Sequence, residues 1–466
     1  MQTPTLQQEI RRSWARIGSR FLPFADAATP DLPLSRLLRL SLFQVSVGMA
    51  LVLMIGTLTR VMIVELKVPA ALVGIMISLP LIFAPFRALI GFRSDHHRSA
   101  LGWRRVPYLW MGTMVQFGGL AIMPFALLVL SGMGHASQAP AWIGHMAAGI
   151  AFLLVGAGLH TIQTVGLALA TDLATPESRP KVVGLMYVML LLGMIASAII
   201  FGAALAEFSP GRLIRVIQGA AITTMVLNVI ALWKQESRSR DRAGAPAVAP
   251  DFRLSWQSFC EGEHAVRRLT AIGLGTMAFT MEDVLLEPYG GEILGLSVGA
   301  TTSLTAALAV GGLLGFGFAS RVLSRGADPL RLAAVGAAVG LPAFMLVIFS
   351  APLHMPQLFA LGTLLIGLGA GLFGHGTLTA TMNLAPKSQS GLALGAWGAV
   401  QASGAGVAVA LGGILRDVAA AVGGPAFGYM SVYALEVLLL VITLMVMAPL
   451  MRGKSSFEDL GNNTRS

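Results

Sequence analysis

Cysteine is all but missing. Cys260 is the only one in 466 residues, which excludes a disulfide framework and any cysteine-rich metal site. Charge is scarce as well, at 12% of residues, against about 25% in soluble domains. The chain has no Walker A loop, no G-x-S-x-G elbow and no Rossmann fingerprint. These absences argue against ATP-driven transport within this chain and against hydrolysis, so no enzyme is expected. Neither HExxH nor any His/Cys ligand spacing occurs, and no structural metal is expected. The basic residues follow loops rather than aromatic-interleaved patches, which argues against a nucleic-acid partner.

Apolar sequence dominates instead. The chain is 55% hydrophobic with 54 glycines, and its mean hydropathy is +0.75. Glycine at this level suits close helix packing in lipid. The fold class is therefore an all-α membrane protein. Twelve runs are long enough to cross about 30 Å of hydrocarbon: 38–64, 69–91, 106–131, 141–170, 181–206, 212–233, 268–289, 297–320, 329–351, 356–382, 389–415 and 426–450. They form two six-helix halves, 38–233 and 268–451, joined by a polar linker at 234–267. A basic arm (1–37) precedes them and a short tail (452–466) follows. The first apolar run is long enough to span, so no cleavable signal peptide is expected. Leu6, Ile10, Trp14, Ile17 and Phe21 form one stripe on the arm, with Arg11, Arg12, Arg16 and Arg20 off it. That pattern fits a helix lying on anionic lipids; a disordered basic tail is the competing reading.

The 32 Lys and Arg residues orient the chain. Only Lys67, Arg212, Arg215 and Arg416 fall on the side away from the termini, and Arg60 and Arg87 fall within spans. The remainder share the side of the N-terminus, so both termini and the linker are expected in the cytoplasm. The halves also look related. Asp172-Leu-Ala with Gly184 aligns without gaps on Asn383-Leu-Ala with Gly395, and Val61 matches Val284. Two repeats of six spans, both beginning inside, are the pattern of the major facilitator fold, in which spans one, four, seven and ten line a cavity.

Four groups of residues could carry function. The first is the segment Met281–Glu292, with Glu282, Asp283, Glu287 and Glu292 in or beside apolar sequence. A charge at the bilayer centre costs about 2.5–3.5 kcal/mol on insertion scales, so these groups need a partner or a cavity. Asp283 and Glu287, four apart, share a helix face. Pro288-Tyr-Gly-Gly should end that helix. The repeat places Arg60 at the position of Asp283, so Arg60 is expected to pair with Asp283 or Glu287 across the cavity. This would be a polar site or gate; a structural ion pair would use the same residues.

The second group is histidine. His160 and His375 occupy equivalent spans four and ten, with His145 nearer the outer end of span four. A neutral imidazole there could ligate a chlorophyll-type Mg or relay protons, or simply hydrogen-bond a neighbouring helix. The third is the 2–3 loop, with Gly91, Asp95, Arg98, Gly102, Arg104 and Arg105. It resembles the major facilitator signature G-x-x-[AS]-D-x-x-G-R-R, with extra residues after His97 and Trp103 before the arginines. It is a candidate cytoplasmic gate; ordinary positive-inside charge is the alternative. The fourth is the 4–5 loop, where Asp172 and Arg179 flank the turn at Pro176 and could lock two helix ends.

Six segments carry a more specific resemblance: 39–49 (R-L-S-L-F-Q-V-S-V-G-M), 60–66 (R-V-M-I-V-E-L), 84–95 (A-P-F-R-A-L-I-G-F-R-S-D), 97–108 (H-R-S-A-L-G-W-R-R-V-P-Y), 171–187 (T-D-L-A-T-P-E-S-R-P-K-V-V-G-L-M-Y) and 282–291 (E-D-V-L-L-E-P-Y-G-G). Together they resemble the PucC-like, or bacteriochlorophyll-delivery, family of the major facilitator superfamily. The resemblance implies a non-enzymatic assembly factor for the light-harvesting antenna (LH1 or LH2) of purple bacteria, in the inner, intracytoplasmic photosynthetic membrane. It implies antenna polypeptides as partners, with the reaction centre–antenna complex and pigment-synthesis enzymes as further ones. It also implies transient bacteriochlorophyll, for which His160, His375 and His145 become candidate ligands. The competing expectation is a proton-coupled secondary transporter of a small solute, with Arg60, Asp283 and Glu287 as its coupling site.

Overall fold

Long apolar runs fold as helices in lipid because no other structure satisfies the backbone N–H and C=O groups within a single segment. The computed structural model describes residues 28–29, 32–82, 90, 94, 103–131, 140–175, 178–236, 264–384 and 390–452. Among these the chain is helical throughout its long segments. The helices are α1 (Leu34–Glu65), α2 (Ala70–Ile82), α3 (Val106–Ser131), α4 (Ala141–Leu173), α5 (Arg179–Ala204) and α6 (Pro210–Leu232). The second half has α7 (Ala265–Glu292), α8 (Val298–Ser324), α9 (Pro329–Ser350), α10 (Pro356–Leu384), α11 (390–423) and α12 (425–452). The last two run on without a loop. Gly424, at φ 84°, reverses the chain between them, and Pro425 opens α12. Among the described residues these make twelve helices in two sets of six, α2 being the short one at 13 residues.

Helix starts follow local chemistry. The hydroxyls of Ser209 and Ser297 accept the N–H groups of Arg212 and Ala300. The Asp328 carboxylate accepts two more, from Leu330 and Arg331. Pro210 and Pro329 take first-turn positions, where no backbone N–H is needed.

Two elements depart from the sequence expectation. Pro288 does not end α7. The helix breaks earlier, at a 3-10 turn over Met281–Val284, and resumes as Leu286–Glu292. Pro288 is the third residue of that last helical piece, where its missing N–H costs nothing. Asp283 and Glu287 therefore lie on opposite sides of a break rather than on one helical face. The expected loop 416–425 is helix up to residue 423, because the Arg416 and Asp417 charges are satisfied in place (below).

The beginning of α1, the end of α6, the beginning of α7 and the end of α12 share one face of the bundle, here termed the terminal face. Arg36 reaches Gln235 there, and Arg267 donates to the Val446 carbonyl at 3.0 Å. The opposite face is the far face. The halves meet where α2 packs on α11, α5 on α8, and α1 on α7 and α8. Small residues allow that approach: a Cβ at Gly74 would lie 2.8 Å from the Val409 carbonyl oxygen. The first half is pinned internally by Asn228, which donates to Thr113 at 3.0 Å and accepts from Ser46 at 2.8 Å, joining α6, α3 and α1.

Candidate functional site

The apolar helices carry polar groups at three levels: the far face, the middle and the terminal face. At the far face, Arg60 is buried but does not pair with Asp283 or Glu287. Its Nη1 binds Glu65 at 2.9 Å and its Nη2 donates to the Leu296 carbonyl at 3.3 Å. The reason is local. Residues Val61–Glu65 form a π-helical turn, which brings residues five apart together. In a regular α-helix residues five apart lie on different sides, so Glu65 would not meet Arg60. Arg60 still lies against α7, because Gly291 has no side chain to exclude its guanidinium.

The far-face ion pair between helices is another one. Glu292 accepts from Arg416 Nη2 at 2.5 Å and from the Tyr429 hydroxyl at 2.8 Å. The Arg416 guanidinium stacks 4.7 Å above the Tyr429 ring and also binds Asp417 at 2.9 Å. Asp417 in turn accepts the Ala71 N–H of α2 at 2.7 Å. One network thus ties α7, α11 and α12 to α2 of the other half. Its sequence signal was the isolated far-side cation Arg416.

In the middle, Glu287 is buried and accepts from Thr305 at 2.5 Å and Thr302 at 3.3 Å. Thr302 also meets Thr57 of α1 at 3.2 Å, and Gly56 leaves space for the carboxylate. Glu282 is buried and Asp283 half-buried at the break in α7. Facing them is Glu436 of α12, itself wholly buried. Sequence reasoning passed over Glu436. Its signal was a single carboxylate inside an otherwise apolar span.

The histidines occupy the expected helices. His375 is half-buried in α10, its ring 4.3 Å from that of Phe316 on α8, edge to face. Its Nδ1 is buried and has no hydrogen-bond partner among the described residues. His160 is half-buried in α4 and engaged within the bundle. His145 is half-buried near the far end of α4. Neither His160 nor His375 lines the face grooves at Glu65 or at Trp110. Among the described residues no group of three His, Cys, Asp or Glu could hold a metal ion.

At the terminal face, Arg104 and Arg105 converge on Asp172 at 2.5 and 3.0 Å, so the 2–3 and 4–5 loops are joined. Arg105 also donates to Ser94 at 2.6 Å. Glu236 accepts the backbone N–H groups of Arg104, Arg105 and Val106, capping α3 from the end of α6. Beside it lies a groove of about 980 Å³ lined by Trp103, Trp110, Trp233, Arg36 and Lys234. Gly91, Asp95, Arg98, Gly102, the basic arm up to residue 27, most of the linker and the tail lie outside the described residues. The Arg179 side chain does too; its backbone begins α5.

Two six-helix halves, paired through α2–α11 and α5–α8 and tied by charge networks at both faces, define the major facilitator fold. The solved structure of the nucleoside transporter NupG superposes with a TM-score of 0.66, covering 90% of this chain and 99% of that one at 15% identity. That likeness concerns the fold alone. The family is narrower: residues 57–455 match the family described as PUCC protein, and the chain belongs to it. It is 66% identical over 408 residues to Protein PucC of Rhodovulum sulfidophilum, covering 86% of this chain and 89% of that protein. It is 60% identical over 448 residues to Protein PucC of Cereibacter sphaeroides, covering 95% and 98%.

Proposed function

We propose that this chain is a membrane assembly factor for the light-harvesting antenna of purple bacteria, handing bacteriochlorophyll to antenna polypeptides. Membership of the PUCC family over most of the chain is the observation that carries the reading. The geometry supports it at one point. The Nδ1 of His375, beside the Phe316 ring and without a hydrogen-bond partner among the described residues, is an imidazole nitrogen of the kind that ligates the Mg of a chlorin. His160 on the equivalent helix is the second candidate and His145 the third. Pigment is cargo here, so its ligation is transient. The terminal face is read as cytoplasmic because most of the 32 basic residues lie on that side. The test is to purify the chain under mild solubilisation, with His160→Ala, His375→Ala and the double variant alongside. Bound near-infrared pigment should fall in each single variant and vanish in the double. Unchanged pigment in the double variant would remove the ligand assignment.

A second reading, proton-coupled transport of a small solute, is favoured by Glu287. Its carboxylate sits where α1 of one half meets α7 and α8 of the other, hydrogen-bonded by threonine hydroxyls and within the field of Arg60. It predicts gradient-dependent solute uptake in vesicles that is lost in Glu287→Gln. Normal antenna levels in a deletion strain would favour it over the assembly reading.

A further inference from the structure

Four buried polar atoms without a hydrogen-bond partner among the described residues gather between α7 and α12. They are Oε2 of Glu282, both carboxylate oxygens of Glu436, and the hydroxyl of Tyr433; among the described residues the one donor close to the Glu436 carboxylate is the Glu282 backbone N–H, which falls outside hydrogen-bond geometry. All three side chains are at most 1% exposed. The Met281–Val284 turn packs on the α11–α12 segment, which brings Glu282 and Asp283 within electrostatic reach of Glu436, and Tyr433 within reach of Glu436 and Glu282. Buried acceptors gathered in this way need donors, which a bound proton supplies at the least cost in space.

Among the described residues, no lysine or arginine free of another partner packs on this place; α10, which also touches α7 and the α11–α12 segment, brings the imidazole of His375, set against Phe316. The nearest cation along the stripe, Arg416 of α11, is committed to Glu292 and Asp417. The parts of α1 (52–58) and α2 (70–82) that pack on the Met281–Val284 turn contain no ionisable residue. Helix α9 contributes Ser350, which meets the Tyr289 hydroxyl; its only ionisable residue, Arg331, is in its first turn at the terminal face. Three like charges with no cation cannot coexist in a low-dielectric interior; such groups neutralise by taking up protons. A neutral carboxylic acid also gains a donor, so the same protons satisfy the orphaned acceptors.

A polar stripe leads from this place to the far face. On α12, Tyr429, Tyr433 and Glu436 follow at spacings of four and three, and so share one side of the helix. Across from them on α7, the Tyr289 ring lies 5.5 Å from that of Tyr429 and 5.4 Å from that of Tyr433. Tyr289 itself is committed to the Val347 carbonyl at 3.1 Å. Tyr429 donates to Glu292, which is partly exposed. We propose that Glu436, Glu282 and Asp283 form a proton-binding site, loaded from the far face along Tyr429 and Tyr433. Loading transfers a proton from water to a carboxylate oxygen; an O–H bond breaks at each donor as one forms at the next acceptor, and no other reactant is consumed.

The experiment uses the purified full chain in lipid nanodiscs, without antenna polypeptides, so its outcome is independent of the assembly reading. Infrared spectroscopy at neutral pH reads the C=O stretch of protonated carboxyls and its shift on exchange into D₂O. The wild type should show this band, and Glu436→Gln and Glu282→Gln should each remove a component of it. Tyr433→Phe should keep the band and slow its deuterium shift several-fold. A wild type with no such band overturns the proposal, whether or not the variants fold. So does a band unchanged in both glutamine variants. An unaltered exchange rate in Tyr433→Phe contradicts the tyrosine route. Thermal stabilisation of the wild type by sodium, lost in Glu436→Gln, would make the site a cation site and overturn it as well.

Discussion

At the scale of single residues, the charges inside this protein are arranged so that the obvious partner is not the actual one. Arg60 and the carboxylates of α7 were legible as an anomaly, since charges rarely sit in apolar runs. Their pairing was not legible. It depends on a π-turn that returns Arg60 to Glu65, and on the α11–α12 reversal that brings Arg416 to Glu292. Glu436 was hidden for the opposite reason: one carboxylate in an apolar span carries no partner in the sequence. The Glu292–Arg416 pair is mostly shielded, at 22% and 12% side-chain exposure. Arg416→Ala should therefore destabilise the protein by about 3 kcal/mol, because it leaves Glu292 and Asp417 without their cation. The double replacement Glu292→Leu with Arg416→Met should recover part of that loss, with Asp417 retaining the Ala71 N–H. Thermal unfolding in detergent of the two single variants and the double variant checks this. An equal loss in the double variant would show that the pair acts through packing alone.

Elements show where sequence periodicity suffices and where it fails. Most spans were legible to within a few residues, because bilayer thickness sets their length and their caps are local. The break in α7 was not. Proline and glycine at 288–291 point to a stop there, whereas the helix yields at Met281–Val284, where Glu282 and Asp283 meet α12. Tertiary contact overrode local propensity. Two variants follow at this scale. Pro288→Ala should change stability by less than about 1 kcal/mol, since Pro288 occupies the first turn of its helix. Asn228→Ala should cost about 1 kcal/mol, the usual range for an interhelical hydrogen bond in a membrane protein. Denaturation midpoints decide both, and a larger loss for Pro288→Ala would restore the proline as the helix stop.

For the whole molecule, the repeat of six spans and the placement of basic residues carried the sequence to the major facilitator fold. The same reasoning placed Arg104, Arg105 and Asp172 in loops of one face, and the structure joins them in a single cluster. What composition could not supply was the family, which rested on particular segments such as 97–108 and 282–291 and is met by the match over 57–455. The most direct measurement is an absorption spectrum of the mildly solubilised full-length chain, with identification of every polypeptide that accompanies it. The account predicts near-infrared bacteriochlorophyll bands and copurified antenna polypeptides, with the bands lost in the His160→Ala/His375→Ala double variant. A colourless preparation that brings down no antenna polypeptide would contradict it.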